Sequence, residues 1–325
     1  MNKLKKLGVS ALAGSLAAFS AQAAELSFTG DSSVSYTSGQ ASANASAASG
    51  ISADVGMSFS ASGEMDNGWP VSTSLEMDGS SFDDRSISID TGNGKLTMAG
   101  KGGSGPVGAW DDVTPSANEE AHGVAVAGTQ TGATSDAEDA NFFIFDYTSI
   151  DGVALKASYN PSHTTTRVES STEIGLQYTG IDGLNVYLAQ GENNDDPYTA
   201  GRKELRNAAI TYAAGSFTVG YQVNEVDSDV ADKDQDFTAV GFSYAVSDDV
   251  SISLNQSTVD YEQATLDDQE STGVSASYTQ GGITVSASHS NIDNVAGAPT
   301  SDTVSYTHLR AHETEADLVC RLLLE

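Results

Sequence analysis

FDYTSIDGVALKASYN, residues 145–160, carries the pattern that decides the fold. An alternating stretch ends at Tyr147, Asp151-Gly152 makes a tight turn, and a second alternating stretch begins at Val153. Four more segments repeat it: LQYTGIDGLNVYLAQG (176–191), ITYAAGSFTVGYQV (210–223), FSYAVSDDVSISLNQ (242–256) and ASYTQGGITVSASHS (276–290). The aligned tyrosines Tyr147, Tyr178, Tyr212, Tyr244 and Tyr278 fall 31, 34, 32 and 34 residues apart. A period of that length holds two strands of about 10 residues, one tight turn and one longer loop, the pattern of an all-β, antiparallel up-and-down transmembrane barrel.

Side chains of a strand point alternately to its two faces. In 216–224 Phe217, Val219, Tyr221 and Val223 share one face, against Thr218, Gly220, Gln222 and Asn224 on the other. In 250–255 Val250, Ile252 and Leu254 oppose Ser251, Ser253 and Asn255. A soluble β-sandwich also alternates, because one face of each sheet meets water. Three further features favour lipid: an export leader, the sorting of loop lengths, and aromatics at one edge.

Residues 1–23 have the layout of a secretory signal peptide. Lys3, Lys5 and Lys6 give the basic start, Leu7 to Phe19 the apolar centre, and Ala21-Gln22-Ala23 the small-residue cleavage site. No other stretch approaches the ~18 apolar residues of a membrane helix. A chain that crosses lipid without helices must close its sheet, since an unpaired backbone group has no partner there. Residues 25–305 hold no cysteine, which excludes a disulfide-stapled fold and a thiolate metal site.

Fifteen strands are expected between about 25 and 290, with a sixteenth starting near 302. Short connections (91–94, 180–183, 214–215, 247–249, 280–281) alternate with long ones (38–50, 161–170, 192–205, 226–235, 261–270, 291–301). Short turns at one rim and long loops at the other are the arrangement of an outer-membrane barrel. The five tyrosines end strands just before short turns, and Trp69 stands beside Asn67-Gly68. These six residues are expected to form an aromatic girdle at headgroup depth.

The connection from about Gly102 to Ala140 exceeds all others. It opens GGSGP and carries Asp111, Asp112, Glu119, Glu120, Asp136, Glu138 and Asp139 but neither Lys nor Arg. A loop of that length is usually functional. With the mature start AQAAELSFTG and the Tyr-turn-strand hairpins, this third loop makes the chain resemble the Gram-negative general porins in their 16-stranded form, over residues 1–305. The resemblance implies outer-membrane localisation, contact with membrane lipid, a homotrimer, and passive passage of small hydrophilic solutes and ions. It also implies a third loop that folds inward and narrows the pore, its acids facing basic residues across the lumen.

The basic side is thin: only Arg85, Lys95, Lys101, Lys156, Arg167, Arg202, Lys203, Arg206 and Lys233 lie in 25–305. Strand parity sends Lys101 and Lys156 into the lumen. The expected constriction is therefore Asp111, Asp112, Glu119 and Glu120, opposed by Lys101 and Lys156. The formal net charge is −31, and acids crowd the long loops. A mouth of one sign concentrates the opposite ion, so a cation-preferring pore is expected. An acidic surface also suits a saline habitat. Nucleic-acid binding would need clustered Lys and Arg, which this chain lacks.

Catalytic patterns are missing. His122 and His163 are the histidines before residue 289, both in loops, and no Gly-x-Ser-x-Gly or His-Glu-x-x-His occurs. Asp232-Lys233-Asp234-Gln235-Asp236 has something of a calcium-loop spacing without its glycine and closing glutamate, which leaves room only for a weakly held Ca²⁺. No other cofactor or metal is expected, and an enzyme is disfavoured.

From about Tyr306 the character changes. THLRAHETEADLVCRLLLE holds the chain's one cysteine, Cys320, and no strand alternation. The segment resembles a translated sequencing-adapter read-through, so residues 306–325 are expected to be foreign and the native closing strand, which should end in Phe, missing or replaced. An exported, acidic structural or adhesive β-protein without a channel is the main alternative.

Overall fold

The computed structural model describes residues 25–41, 50–79, 81–121, 141–161, 169–194, 201–298 and 303–315. The leader at 1–23 lies outside them, as do His122, Asp136, Glu138, Asp139, His163, Arg167 and Cys320.

Sixteen strands follow in order: β1 Glu25–Ala41, β2 Gly50–Glu64, β3 Pro70–Asp78, β4 Ser81–Asp90, β5 Lys95–Lys101, β6 Phe142–Ile150, β7 Val153–Asn160, β8 Ser171–Ile181, β9 Leu184–Asn193, β10 Lys203–Ala214, β11 Phe217–Ser228, β12 Gln235–Ala245, β13 Val250–Tyr261, β14 Gln269–Gln280, β15 Ile283–Asp293 and β16 Thr303–Glu315. Each pairs antiparallel with its chain neighbours, and β1 pairs with β16, so the sheet closes on itself. Closure gives every strand a partner on both sides and leaves no open edge.

The distribution of side chains is inverted relative to a water-soluble protein. Leu254 is 56% exposed and Ile174 55%, whereas Gln222 is 0%, Asn224 1% and Ser253 3% exposed. Exposed apolar residues cover the outside, and polar ones such as these face the inside, where they are joined by a buried apolar cluster of Leu205, Val226, Phe237, Ala239 and Val259 against Val107 and Trp110 of the loop after β5. A β-sandwich would bury the apolar faces between two sheets; this single closed sheet turns them outward instead.

Most of the tight turns rely on glycine; the one between β12 and β13, Val246 to Asp249, does without it. At Asp182-Gly183, which joins β8 to β9, Gly183 has φ +75°, and the carbonyl oxygen of Ala213 sits where a Cβ would project. Gly183 O accepts from Ala213 N at 2.8 Å, tying this turn to the next hairpin. Only a residue without a side chain fits both demands.

Two expectations need correction. Strand pairing does not stop near Tyr306: the ladder runs to Glu315, with Glu315 opposite Gly30 and Glu313 opposite Ile283. The segment expected to hold no strand thus occupies the place of the closing one, because a backbone ladder needs partners more than it needs alternation. The long connections also have an exception: β3 and β4 are joined by Gly79 and Ser80 alone on the long-loop side.

Candidate functional site

The interior of the barrel is lined by lumen-facing positions and by the loop after β5. That loop turns inward at Gly102 and Gly103, with φ +68° and +81°. Gly102 packs against the Asp84 carboxylate, where a Cβ would clash. A short helix, α1 (Pro106–Ala109), follows, with proline at its start where a missing N–H costs nothing.

Polar side chains from the wall hold this loop by its main chain. Glu173 on β8, 4% exposed, accepts from Val107 N at 2.9 Å. Asn207 on β10 donates to Val107 O at 2.6 Å. On β11, Gln222 Oε1 accepts from Val113 N at 2.9 Å, and its amide donates to Trp110 O at 3.1 Å and to Asp111 O. Asn224 also donates to Asp111 O, at 2.8 Å, and Asn255 on β13 donates to Pro115 O at 3.0 Å. Trp110 fills the space above Gly175 and meets Tyr187 with ring centroids 5.8 Å apart. The loop thus lies against β8 to β14 with its backbone satisfied by the wall, as buried carbonyls and N–H groups require.

Of the expected constriction acids, Asp111, Glu119 and Glu120 are half-buried on the loop and Asp112 is exposed. Lys156 keeps its lumen register on β7. It does not face the loop from across the pore: it pairs with Gly175, the residue beneath Trp110, on the loop's own side. Lys101 departs from its expected place. A bulge at Gly100 sets Lys101 opposite Arg85, on the outward register of Ile87, and its Nζ donates to Phe82 O at 3.1 Å. One extra residue in a ladder reverses parity, which alternation alone cannot foresee.

The far wall carries acids that were not singled out from sequence. Asp31, Asp54, Glu76 and Asp78 occupy lumen positions on β1 to β3, with Asp31, Gly56 and Asp78 forming one cross-strand row. Gly56 leaves room for Asp31, whose Oδ1 would lie 2.5 Å from a Cβ there. The parity of Asp31 against Val34 and Tyr36 held this signal. On β4 to β7 the lumen row reads Asp90, Lys95, Asp146, Lys156, so each cation neighbours a carboxylate.

At the loop rim Arg206 and Arg202 are likewise compensated. Arg206, on the outward face, meets Glu204 at 2.8 Å, Glu225 at 3.3 Å and Asp227 at 3.4 Å. Arg202 donates to both Glu169 oxygens, at 2.7 and 3.0 Å. Those bonds hold the exposed Glu169 carboxyl below the usual carboxylate range. In the calcium-like run, Asp234 Oδ1 accepts from Ser228 N at 2.8 Å. Among the described residues no group of three or more His, Cys, Asp or Glu is arranged to hold a metal.

Tyr147, Tyr178, Tyr212, Tyr244 and Tyr278 all stand on the outward register, paired with apolar residues such as Leu155, Val186, Val219, Ile252 and Val285. Tyr244 stacks on Phe217 at 4.6 Å. Trp69 is exposed beside its turn, with its backbone N–H donating to Asn67 Oδ1 at 3.2 Å.

A family model described as Gram-negative porin matches residues 8–297. The chain belongs to the Gram-negative porins. Solved structures agree on the fold. An anion-selective porin from Comamonas acidovorans is 10% identical, with a TM-score of 0.68 over 90% of this chain and 100% of that one. A loop L8 deletion mutant of OmpT from Vibrio cholerae is 16% identical, with a TM-score of 0.67 over 90% and 100%. A triple mutant of Rhodopseudomonas blastica porin is 15% identical, with a TM-score of 0.63 over 89% and 100%. No curated protein sequence matches this porin. Family and fold together make it an outer-membrane channel protein.

Proposed function

We propose that this porin is a cation-preferring passive channel for small hydrophilic solutes, with no enzymatic step. Asp111, Asp112, Glu119 and Glu120 line its narrowest part. The observation that carries the reading is the wall opposite the loop. β3 lies eight strands round from β11, which clamps the loop. Among the described side chains, the lumen positions of β1 to β3 hold Asp31, Asp54, Glu76 and Asp78 and no Lys or Arg. A lumen acidic on both sides, in a low-dielectric frame, enriches cations and depletes anions. Lys95 and Lys156 alternate with carboxylates and do not reverse that sign.

The outward tyrosines and Trp69 serve as the interfacial girdle, and the porin assembles as a homotrimer in lipid. The zero-current potential across a KCl gradient tests the preference. A potential on the cation side, with closure in three equal steps, supports both statements. A potential on the anion side contradicts the preference, and single-step closure contradicts the trimer.

Residues 1–23 act as the cleaved leader and 306–325 are foreign. The family match ends at residue 297, before β16, which fits the second statement. Protein from outer membranes should have the mass of a chain starting at Ala24. Its yield should rise when 306–325 are exchanged for a strand ending in Phe. An unprocessed mass, or an unchanged yield, counts against the respective statement.

A further inference from the structure

A row of lumen-facing positions crosses from β10 to β14: Thr211, Gly220, Gly241, Asn255, Gly273. The loop lies directly on it. Pro115 occupies the space where a Cβ of Gly220 would stand. A Cβ on Gly241 would lie 2.8 Å from Pro115 O and 3.0 Å from Pro115 N. A Cβ on Gly273 would lie 2.9 Å from that of Ala121.

Glycine weakens a strand, so three in one row, each under the loop, call for a reason other than sheet stability. The chemistry of the contact supplies it. Pro115 has no N–H, so its nitrogen can press on the wall without stranding a donor. Its carbonyl still needs a partner and receives Asn255 Nδ2 at 3.0 Å. Two residues further along β11, Gln222 fixes Val113 N and the Trp110 and Asp111 carbonyls.

We infer that Gly220, Gly241 and Gly273 form a seat that sets how far the loop stands from the wall, and so the open width of the pore. The inference rests on the channel reading and deepens it. Gln222 and Asn255 are the positioning residues that keep the loop on the seat. The wall is held on both sides by its ladder and cannot retreat. At Gly241 a Cβ would meet Asn255 Nδ2 at 2.8 Å and the Pro115 backbone at 2.8 and 3.0 Å; turning Asn255 aside would break its bond to Pro115 O and still leave the backbone contacts in place. A side chain there moves the loop toward the pore axis.

The test uses the full-length chain with Cys320→Ser, Gly241→Ala and Gly241→Val, and Ser74→Val on the opposite wall as a control. Folding is followed by the heat-sensitive gel mobility of intact barrels. Two quantities are read: single-channel conductance, and the distance between spin labels at Ala117→Cys and Ser74→Cys. Conductance should fall from Gly241 to Ala to Val, the cross-lumen distance should shorten in the same order, and the control should conduct as the parent does. The Ala variant decides the matter if the Val variant does not fold. A folded Gly241→Ala or Gly241→Val protein with unchanged distance overturns the seat. A parent that passes no current overturns the channel reading instead, and the distance still decides the seat.

Discussion

Neutralising the loop acids, with Asp111→Asn, Asp112→Asn, Glu119→Gln and Glu120→Gln together, is expected to move the zero-current potential strongly toward zero. Cations and anions respond to the pore potential with opposite sign. Losing about 1 kT of it therefore lowers the cation-to-anion ratio by roughly sevenfold, and potentials of several kT are ordinary in charged clefts. The effect should depend on salt. Screening acts over about 10 Å at 0.1 M and about 3 Å at 1 M, so parent and variant should converge in concentrated KCl. Conductance should change less than selectivity, because the clamps of Glu173, Gln222 and Asn255 reach the loop through its main chain and survive the substitutions. An unchanged ratio at low salt would assign the preference to the far wall, to Asp31, Glu76 and Asp78.

Leu254→Arg is expected to destabilise the barrel by about 2–4 kcal/mol, the cost of an arginine near the middle of a lipid-facing strand. Leu254 lies on the outward face of β13 between Phe242 and Val274, with 56% of its surface free of protein contact. Were that face in water, the same change would stay within ~0.5 kcal/mol, as surface substitutions do. Reversible urea unfolding in lipid vesicles separates the two. The companion Ser74→Arg faces the lumen of β3 beside Ser60 and Ser86. It should leave stability nearly unchanged while shifting selectivity toward anions. Equal costs at both sites would contradict the assignment of faces.

Most of the barrel was legible in the sequence. The hairpin 145–160 announces its strand, turn and return strand through period-two alternation and Asp-Gly, both local signals. Tyr178 and Tyr244 could be placed outward for the same reason. What alternation could not give was the site. Lys101 leaves the lumen because one bulge at Gly100 reverses its parity, and bulges carry no mark in the pattern. The clamp was hidden because Gln222 and Asn224 read as ordinary lumen-facing polar residues. Their role appears only when residues lying 109 to 113 positions earlier in the chain come to rest on them. The far-wall acids were a missed inference rather than a hidden one, since Glu76 stands between Leu75 and Met77 and Asp31 has the opposite parity to Val34 and Tyr36. The tail misled in the other direction. Residues 306–315 lack a strand pattern yet take strand geometry, because without them β1 and β15 would each be left with an unpaired edge.

Planar-bilayer conductance of the purified, folded porin tests the central claim most directly. The account predicts discrete, steady conductance steps in KCl, which shrink when Gly241 is enlarged and lose their cation preference when the four loop acids are neutralised. Protein shown to be folded and inserted in the membrane that passes no current would contradict it.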